Sequence, residues 1–366
     1  MEQDNLQDIQ LTTSQRNVLK QILDFVIHPK DRIFILKGYA GTGKTTLMRF
    51  LIKELFEKGK DYRLLASTGR AAKILANLSG SNGNTSTIHS MIYSFNGLNK
   101  EYDEKDNPVA DKDGQLFLVF EPSQLDANTT PETIYIIDEA SMVSDVEAKD
   151  ITQAKFGNGR LLKDLLDYDQ RTYSKFIFVG DPCQLPPIEE YFSPALTKEY
   201  FEQQFGMSVQ EAQLTEIMRQ KGASGIVSAS KIIRSLYNKA PNHAGMYSNM
   251  KLWGFLPFRQ FKDITLHPNL EAMINNYISK ITSDGLNSAV CICRRNKDCS
   301  LLSATIRQKL GFSGWNIQKG DLMMVIQNNL PTGLMNGDMV TIEEVSPQTT
   351  TRGQLTFRQM KVKEIS

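Results

Sequence analysis

Three short apolar runs, Ile33-Phe34-Ile35-Leu36, Ile134-Tyr135-Ile136-Ile137 and Phe176-Ile177-Phe178-Val179, stand out from an otherwise mixed chain. None has polar residues at alternate positions, so these are patterns of strands buried on both faces rather than of half-exposed ones. Arg63-Leu64-Leu65-Ala66-Ser67-Thr68 is a further strand candidate. Between them apolar positions recur at helical spacing. An amphipathic helix entered through Leu11–Gln15, with Thr12 or Thr13 as its cap, runs to about Val26. A second runs from Thr45 to about Glu57, and a third starts at Gly69 and carries through Leu75. Short buried strands alternating with helices predict an α/β fold with a parallel sheet. From about Ser94 to Pro131 the pattern changes to a polar, turn-rich stretch (Asn96-Gly97, Asp113-Gly114) with one strand-like segment, Gln115–Phe120. It reads as an insertion carrying a β-hairpin. Phe117 and Phe120 are expected to anchor that hairpin, the alternative being a wedge between duplex strands. Much later, Ser288–Asn296 reads as a buried strand entering a helix over Ser300–Leu310.

Composition narrows the class. A chain of 366 residues has room for two or three domains with proper cores. The net charge of +1 gives no global basic field, so nucleic-acid binding would have to come from a local groove. The polar, acidic start MEQDNLQDIQ is not a secretory signal, and no apolar run approaches the ~18 residues of a membrane span. Cys183, Cys291, Cys293 and Cys299 have neither zinc nor disulfide-framework spacing, which predicts reduced thiols in a cytoplasmic protein.

The chemistry gathers where the strands end. Gly38–Thr45 reads GYAGTGKT, a strand–glycine loop–helix match to a phosphate loop. Gly41, Thr42 and Gly43 would turn backbone N–H groups inward, and Thr45 and Thr46 open the helix whose positive end faces an anion. Lys44 is expected to reach the β- and γ-phosphates of a nucleoside triphosphate, and the Thr45 hydroxyl to hold Mg²⁺. Asp138 and Glu139 close the second strand; the first suits Mg²⁺, the second the attacking water. Gln184 sits in the proline-locked loop Asp181–Pro187 after the third strand, placed to sense the γ-phosphate. Arg219, in Gln213–Arg219, is the candidate charge-stabilising finger. Gln15 has an amide that matches the adenine edge, with a solvated helix residue as the alternative. Thr68 and Arg70, at a strand end and helix start, suit a phosphodiester backbone. His89, in Thr87-Ile88-His89-Ser90, is by itself a structural hydrogen-bonder more often than a ligand.

In this order, GYAGTGKTT, ASTGRAAKIL, TIHS, IIDEASMVS, VGDPCQLPPI and LTEIMRQ resemble superfamily 1B DNA helicases of the RecD/Dda-like group, over about Leu11 to Arg219. The resemblance implies a RecA-like ATP-binding motor domain over residues 1–210, with the 94–131 hairpin as a strand-separating pin. It implies ATP with Mg²⁺, hydrolysis driving 5′-to-3′ movement on single-stranded DNA or a forked duplex, and a monomer working with replication or repair proteins. Gln15 takes the adenine-reading role, and Thr68, Arg70 and His89 lie near the DNA path. Gln184 couples phosphate state to DNA grip, and Arg219 is the arginine finger. A partial second RecA-like domain is expected over 211–340, with Arg294 and Asn296 near nucleotide or DNA, or Asn296 as a helix cap. Lys319–Val325 and Leu334–Val340 resemble two strands leading to a small β-barrel insertion, whose start would fill 341–366.

The sequence departs from that pattern after Val340, where neither the threonine–histidine–glutamine–glycine stretch nor the second arginine-bearing stretch is found. The expectation is an N-terminal fragment of a longer helicase, the alternative a short form that binds ATP and DNA without processive unwinding. A phosphate-loop NTPase with no DNA role is the other class left open by the near-neutral charge.

Overall fold

The computed structural model describes residues 10–79, 84–98, 118–125, 129–147, 154–171, 173–218, 224–239, 258–312, 314, 316–326, 332–334, 336–352 and 355–365. The chain forms two compact units, Met1–Ser224 with Ser230–Gly254, and Gly225–Ala229 with Phe255–Ser366.

The first unit is built on six parallel strands: β1 (Ile33–Gly38), β2 (Tyr62–Ala66), β3 (Thr85–Thr87), β6 (Ile134–Asp138), β8 (Lys175–Gly180) and β9 (Val209–Leu214). Their order is β3-β2-β6-β8-β1-β9, so β8 lies between the phosphate-loop strand and the strand ending in Asp138. The apolar runs are continuous because each strand feeds two cores. In β1, Phe34 and Leu36 enter one core while Ile33 and Ile35 enter the other; β6 and β8 divide in the same way. The first core is closed by α1 (Thr13–Ile27), α2 (Lys44–Glu57) and α3 (Gly69–Ser79), through residues such as Ile22, Phe25, Leu47, Leu51 and Leu75. The second is closed by α4 (Ile88–Ile92), α5 (Leu161–Tyr168) and α6 (Lys198–Phe205), through Ile92, Leu162, Leu165 and Phe201. Each fully buried Ile or Phe contributes about 1.5–3 kcal/mol, which is what holds the strand ends, and hence the site, in place. This is the expected α/β fold with a parallel sheet.

The expected hairpin is part of a small sheet of β4 (Tyr93–Leu98), β5 (Leu118–Pro122) and β7 (Ala154–Phe156), with β5 antiparallel to β4 and parallel to β7. Phe120 stacks on Phe156 at 4.7 Å and meets Phe95 at 5.6 Å, the anchoring role expected of it. Phe117 and the hairpin tip lie outside the described residues. β9 was not foreseen: its residues Val209-Gln210-Glu211-Ala212-Gln213-Leu214 carry only half an apolar face, as an edge strand allows. Because β9 completes the first sheet, the boundary expected at residue 210 cuts through a strand.

The second unit contains α8 (Leu270–Asp284), α9 (Asn296–Lys309) and an antiparallel sheet of β10 (Leu322–Met324), β11 (Met339–Arg352) and β12 (Leu355–Glu364); α7 (Gly225–Lys239) is divided between the units after Ala229. Arg307 clamps Asp321 through two 2.8 Å bonds at the entry to β10. The two strands expected over Lys319–Val325 and Leu334–Val340 correspond to β10 and the start of β11. The boundary expected at 340 falls inside β11. The buried strand expected over Ser288–Asn296 is not formed: Val290 is 80% and Ile292 91% exposed. Among the described residues no strand pairs with this segment, and an apolar run without a ladder partner cannot satisfy its backbone by burial. Asn296 is not the cap of α9 either; Arg295 holds that position and forks onto Asp298.

Candidate nucleotide-binding site

The C-terminal ends of the adjacent strands β6, β8 and β1 lie together at one edge of the sheet, the edge at which open α/β sheets bind ligands. The loop after β1 turns through Gly43, whose φ of +81° is costly for any residue with a Cβ. A Cβ there would also stand 2.4 Å from the Gln15 amide nitrogen. Gly43 is the N-cap of α2 and has no side chain to offer it. The first-turn amides at Lys44, Thr45 and Thr46 are thus left without a side-chain cap, as an anion-binding helix start requires. Lys44 Nζ donates to the Gly38 carbonyl at 2.7 Å and to the Tyr39 carbonyl at 3.4 Å. These oxygens hold the ammonium over the loop, at the mouth of the helix. Thr42 Oγ1 closes the turn onto the Tyr39 carbonyl at 2.8 Å.

Three outside groups fix the loop. Gln15 Nε2 donates to the Thr42 carbonyl at 3.2 Å, the Met218 amide donates to the Gly41 carbonyl at 2.7 Å, and the Ala40 amide donates to Asp181 Oδ2 at 2.8 Å. Gln15 is 4% exposed, so the solvated-residue alternative is excluded. Its Oε1 also accepts the Thr12 amide at 3.0 Å, completing a capping box at the start of α1. The expected adenine reader is therefore engaged at both ends of its amide, with almost no surface to show a base.

Asp138, at the end of β6, accepts the Glu139 amide at 2.9 Å. Burial pushes its carboxyl up to about 6, with the Glu139 charge adding and Lys44 opposing. A carboxylate that costly to ionise fits a cation partner. With the Thr45 hydroxyl it offers the kind of sparse oxygen set that Mg²⁺, completed by phosphates and water, would take. Among the described residues no cluster of three or more His, Cys, Asp or Glu forms a closed metal cage. Glu139 is held at φ +50°, a left-handed conformation rare outside glycine and common where function demands it. The Gln184 side chain is tied from the other side, its Oε1 accepting Ser141 Oγ at 3.2 Å.

Gln15, Lys44, Thr45, Thr46, Asp138, Glu139 and Gln184 thus converge on the same edge of the sheet. Thr68 and Arg70 are exposed at the end of β2 and the start of α3, with Thr68 Oγ1 accepting the Ala71 amide at 3.3 Å. His89 packs against Phe156 at 4.9 Å and Tyr93 at 5.8 Å, and burial holds its imidazole below the ordinary pKa. It lines a groove of about 620 Å³ with Tyr93, Phe156, Leu185, Pro186 and Ile188. Arg219 lies outside the described residues. Two neighbours of the site were not foreseen. Arg234 on α7 covers the Tyr39 ring at 4.4 Å, and Asp181 bonds the phosphate loop directly. Asp181 was visible as a carboxylate at a strand end; Arg234 left no sequence signal. Among the described residues no helix is long and apolar enough to cross a membrane.

Residues 10–249 match a family model described as an AAA domain. Among curated proteins, the chain is 27% identical over 338 residues to the ATP-dependent DNA helicase dda of Enterobacteria phage T4, covering 90% of this chain and 64% of that protein. It is 28% identical over 291 residues to the ATP-dependent DNA helicase PIF1 of Emericella nidulans, covering 75% and 32%. The chain thus spans less than two-thirds of the length of either helicase. Of solved structures, the Pif1 helicase from Candida albicans aligns over 92% of this chain and 69% of that one, at 19% identity and a TM-score of 0.40.

Proposed function

Since this chain belongs to the AAA domain family, we propose that it is an ATP hydrolase of the superfamily 1B helicase type, moving 5′ to 3′ on single-stranded DNA. The observation that carries the reading is the strand order. With β8 between β1 and β6, the Gln184 loop stands between the phosphate loop and the Asp138–Glu139 pair. One element then faces fuel, metal and water together.

In this account Lys44 exchanges the Gly38 and Tyr39 carbonyls for the β- and γ-phosphate oxygens, a swap from neutral to charged acceptors that favours the bound state. The amides of Lys44, Thr45 and Thr46 receive the phosphates at the positive end of α2. Thr45 and Asp138 hold Mg²⁺, which neutralises phosphate charge when present. Glu139 orients the attacking water and accepts its proton. Gln184 senses the γ-phosphate and Arg219 stabilises the charge that develops on it, an effect of ~10³–10⁵ in turnover for such arginines. Gln15 contributes by fixing the loop. Thr68 and Arg70 grip the DNA backbone, with His89 near the DNA path. The grip is independent of sequence, and closure on ATP against opening on ADP moves the strand.

A second reading is ATP-gated binding of single-stranded DNA without unwinding. It is favoured by the second unit, whose sheet among the described residues is antiparallel rather than parallel. Steady-state ATPase with and without oligo(dT), alongside displacement of a forked duplex, separates the possibilities. A DNA-stimulated rate with displacement supports the motor, and stimulation without displacement the gated binder. A rate indifferent to DNA overturns both.

A further inference from the structure

Asp181 is 3% exposed and has no part in the chemistry above. Its two carboxylate oxygens face different segments. Oδ2 accepts the Ala40 amide of the phosphate loop at 2.8 Å, and Oδ1 accepts the Cys183 amide, one residue before Gln184, at 2.9 Å. The loop that begins at Asp181 is then fastened repeatedly to the segment following Glu139. Gln184 Oε1 accepts Ser141 Oγ at 3.2 Å, and Glu190 Oε1 accepts Ser144 Oγ at 2.5 Å and the Asp145 amide at 3.2 Å. Ser193 Oγ donates to the Ser141 carbonyl at 2.6 Å. Gly180 lets the two segments come this close: a Cβ there would lie 3.2 Å from the Ser141 amide nitrogen and 2.8 Å from Leu196. Between these ties Leu185 and Ile188, 84% and 92% exposed, reach the groove shared with His89 and Phe156.

We infer that Asp181 is a positioning residue: a rigid strut that makes the phosphate loop and the Gln184 loop move together, setting Gln184 and the Ser141 segment when the loop fills. A buried carboxylate is suited to this because it accepts from two backbone amides at once, in charge-assisted bonds stiffer than neutral ones. An amide side chain in its place offers one oxygen and turns an N–H toward the second amide donor. The inference rests on the reading of this sheet edge as an ATP site, and the test keeps the two apart.

Asp181→Asn, Ser141→Ala and the double variant are compared with the unaltered chain and with Lys44→Ala. ATP turnover is measured at saturating nucleotide, and ATP affinity by fluorescent-analogue titration. Asp181→Asn is expected to lower kcat by about 10–100-fold, the scale of a displaced catalytic group, while affinity changes less than about threefold. Ser141→Ala is expected to act in the same direction, and the double variant to lose no more than the worse single one, because both cut one connection. A purely architectural Asp181 would lower affinity, thermal midpoint and kcat together. That pattern, full multiplication of the two losses, or unaltered kcat in Ser141→Ala should Asp181→Asn not fold, overturns the strut. Normal turnover in Lys44→Ala would instead overturn the ATP site itself.

Discussion

Replacing Gln15 separates its contact with the phosphate loop from its contact with the helix cap. Gln15→Ala removes the bond to the Thr42 carbonyl at 3.2 Å and the return bond from the Thr12 amide at 3.0 Å, both at a position 4% exposed. At about 0.5–1.5 kcal/mol net for each hydrogen bond, the loss is about 1–3 kcal/mol of stability. Gln15→Glu keeps an oxygen for the Thr12 amide, the favoured third residue of a capping box, but turns an acceptor toward the Thr42 carbonyl. It should recover the cap's share of stability while leaving the loop unstrapped. Urea unfolding measures the first quantity, and titration with fluorescent ATP and GTP analogues the second. Both variants should weaken ATP and GTP in parallel, since the defect lies in the loop beneath the phosphates. Unchanged affinity in both would refute the strap. Selective loss of ATP, with GTP untouched, would show the side chain reading the base instead.

Further outcomes follow from the same geometry. Lys44→Ala should abolish hydrolysis, and turnover at the normal rate in that variant would remove the phosphate-loop assignment. Glu139→Gln should keep ATP binding and lose turnover, as read by analogue titration against phosphate release. Glu139→Gly should be equally inactive yet no less stable, and more stable by up to about 1 kcal/mol in urea, because it relieves the φ of +50°. Mg²⁺-supported ATP binding should weaken as pH falls through about 6, where Asp138 takes up a proton that the metal must displace. The sign follows from a carboxyl whose pKa is raised: the proton is held below about 6 and released above it. Asp138→Asn should bind weakly throughout and flatten that profile.

The nucleotide edge was legible because its determinants are local. A glycine loop joined to a strand and a helix declares itself within a dozen residues, and the four-residue apolar runs of β1, β6 and β8 reflect burial on both sheet faces. β9 escaped notice because an edge strand need bury only its ends, here Val209 and Leu214, and its interior reads as polar. β7 is three residues long, too short for any period to show. The misplaced strand at Ser288–Asn296 is the converse error, since an apolar run signals a strand only where a neighbour supplies the ladder. Gln15 was noticed for its amide but not for its burial, which depends on Thr42 lying 27 positions away. The Asp181–Ala40 bond joins residues 141 positions apart and exists only because β1 and β8 pair in parallel register.

The central claim is that Lys44 leaves the loop carbonyls for a triphosphate at this edge of the sheet. A crystal structure with Mg²⁺ and a non-hydrolysable ATP analogue tests it directly. The account predicts the triphosphate wrapped by residues Gly41–Thr46, the Lys44 ammonium moved from the Gly38 carbonyl onto phosphate oxygens, and the metal between Thr45 and Asp138. A nucleotide bound elsewhere, with Lys44 still donating to Gly38, would contradict it.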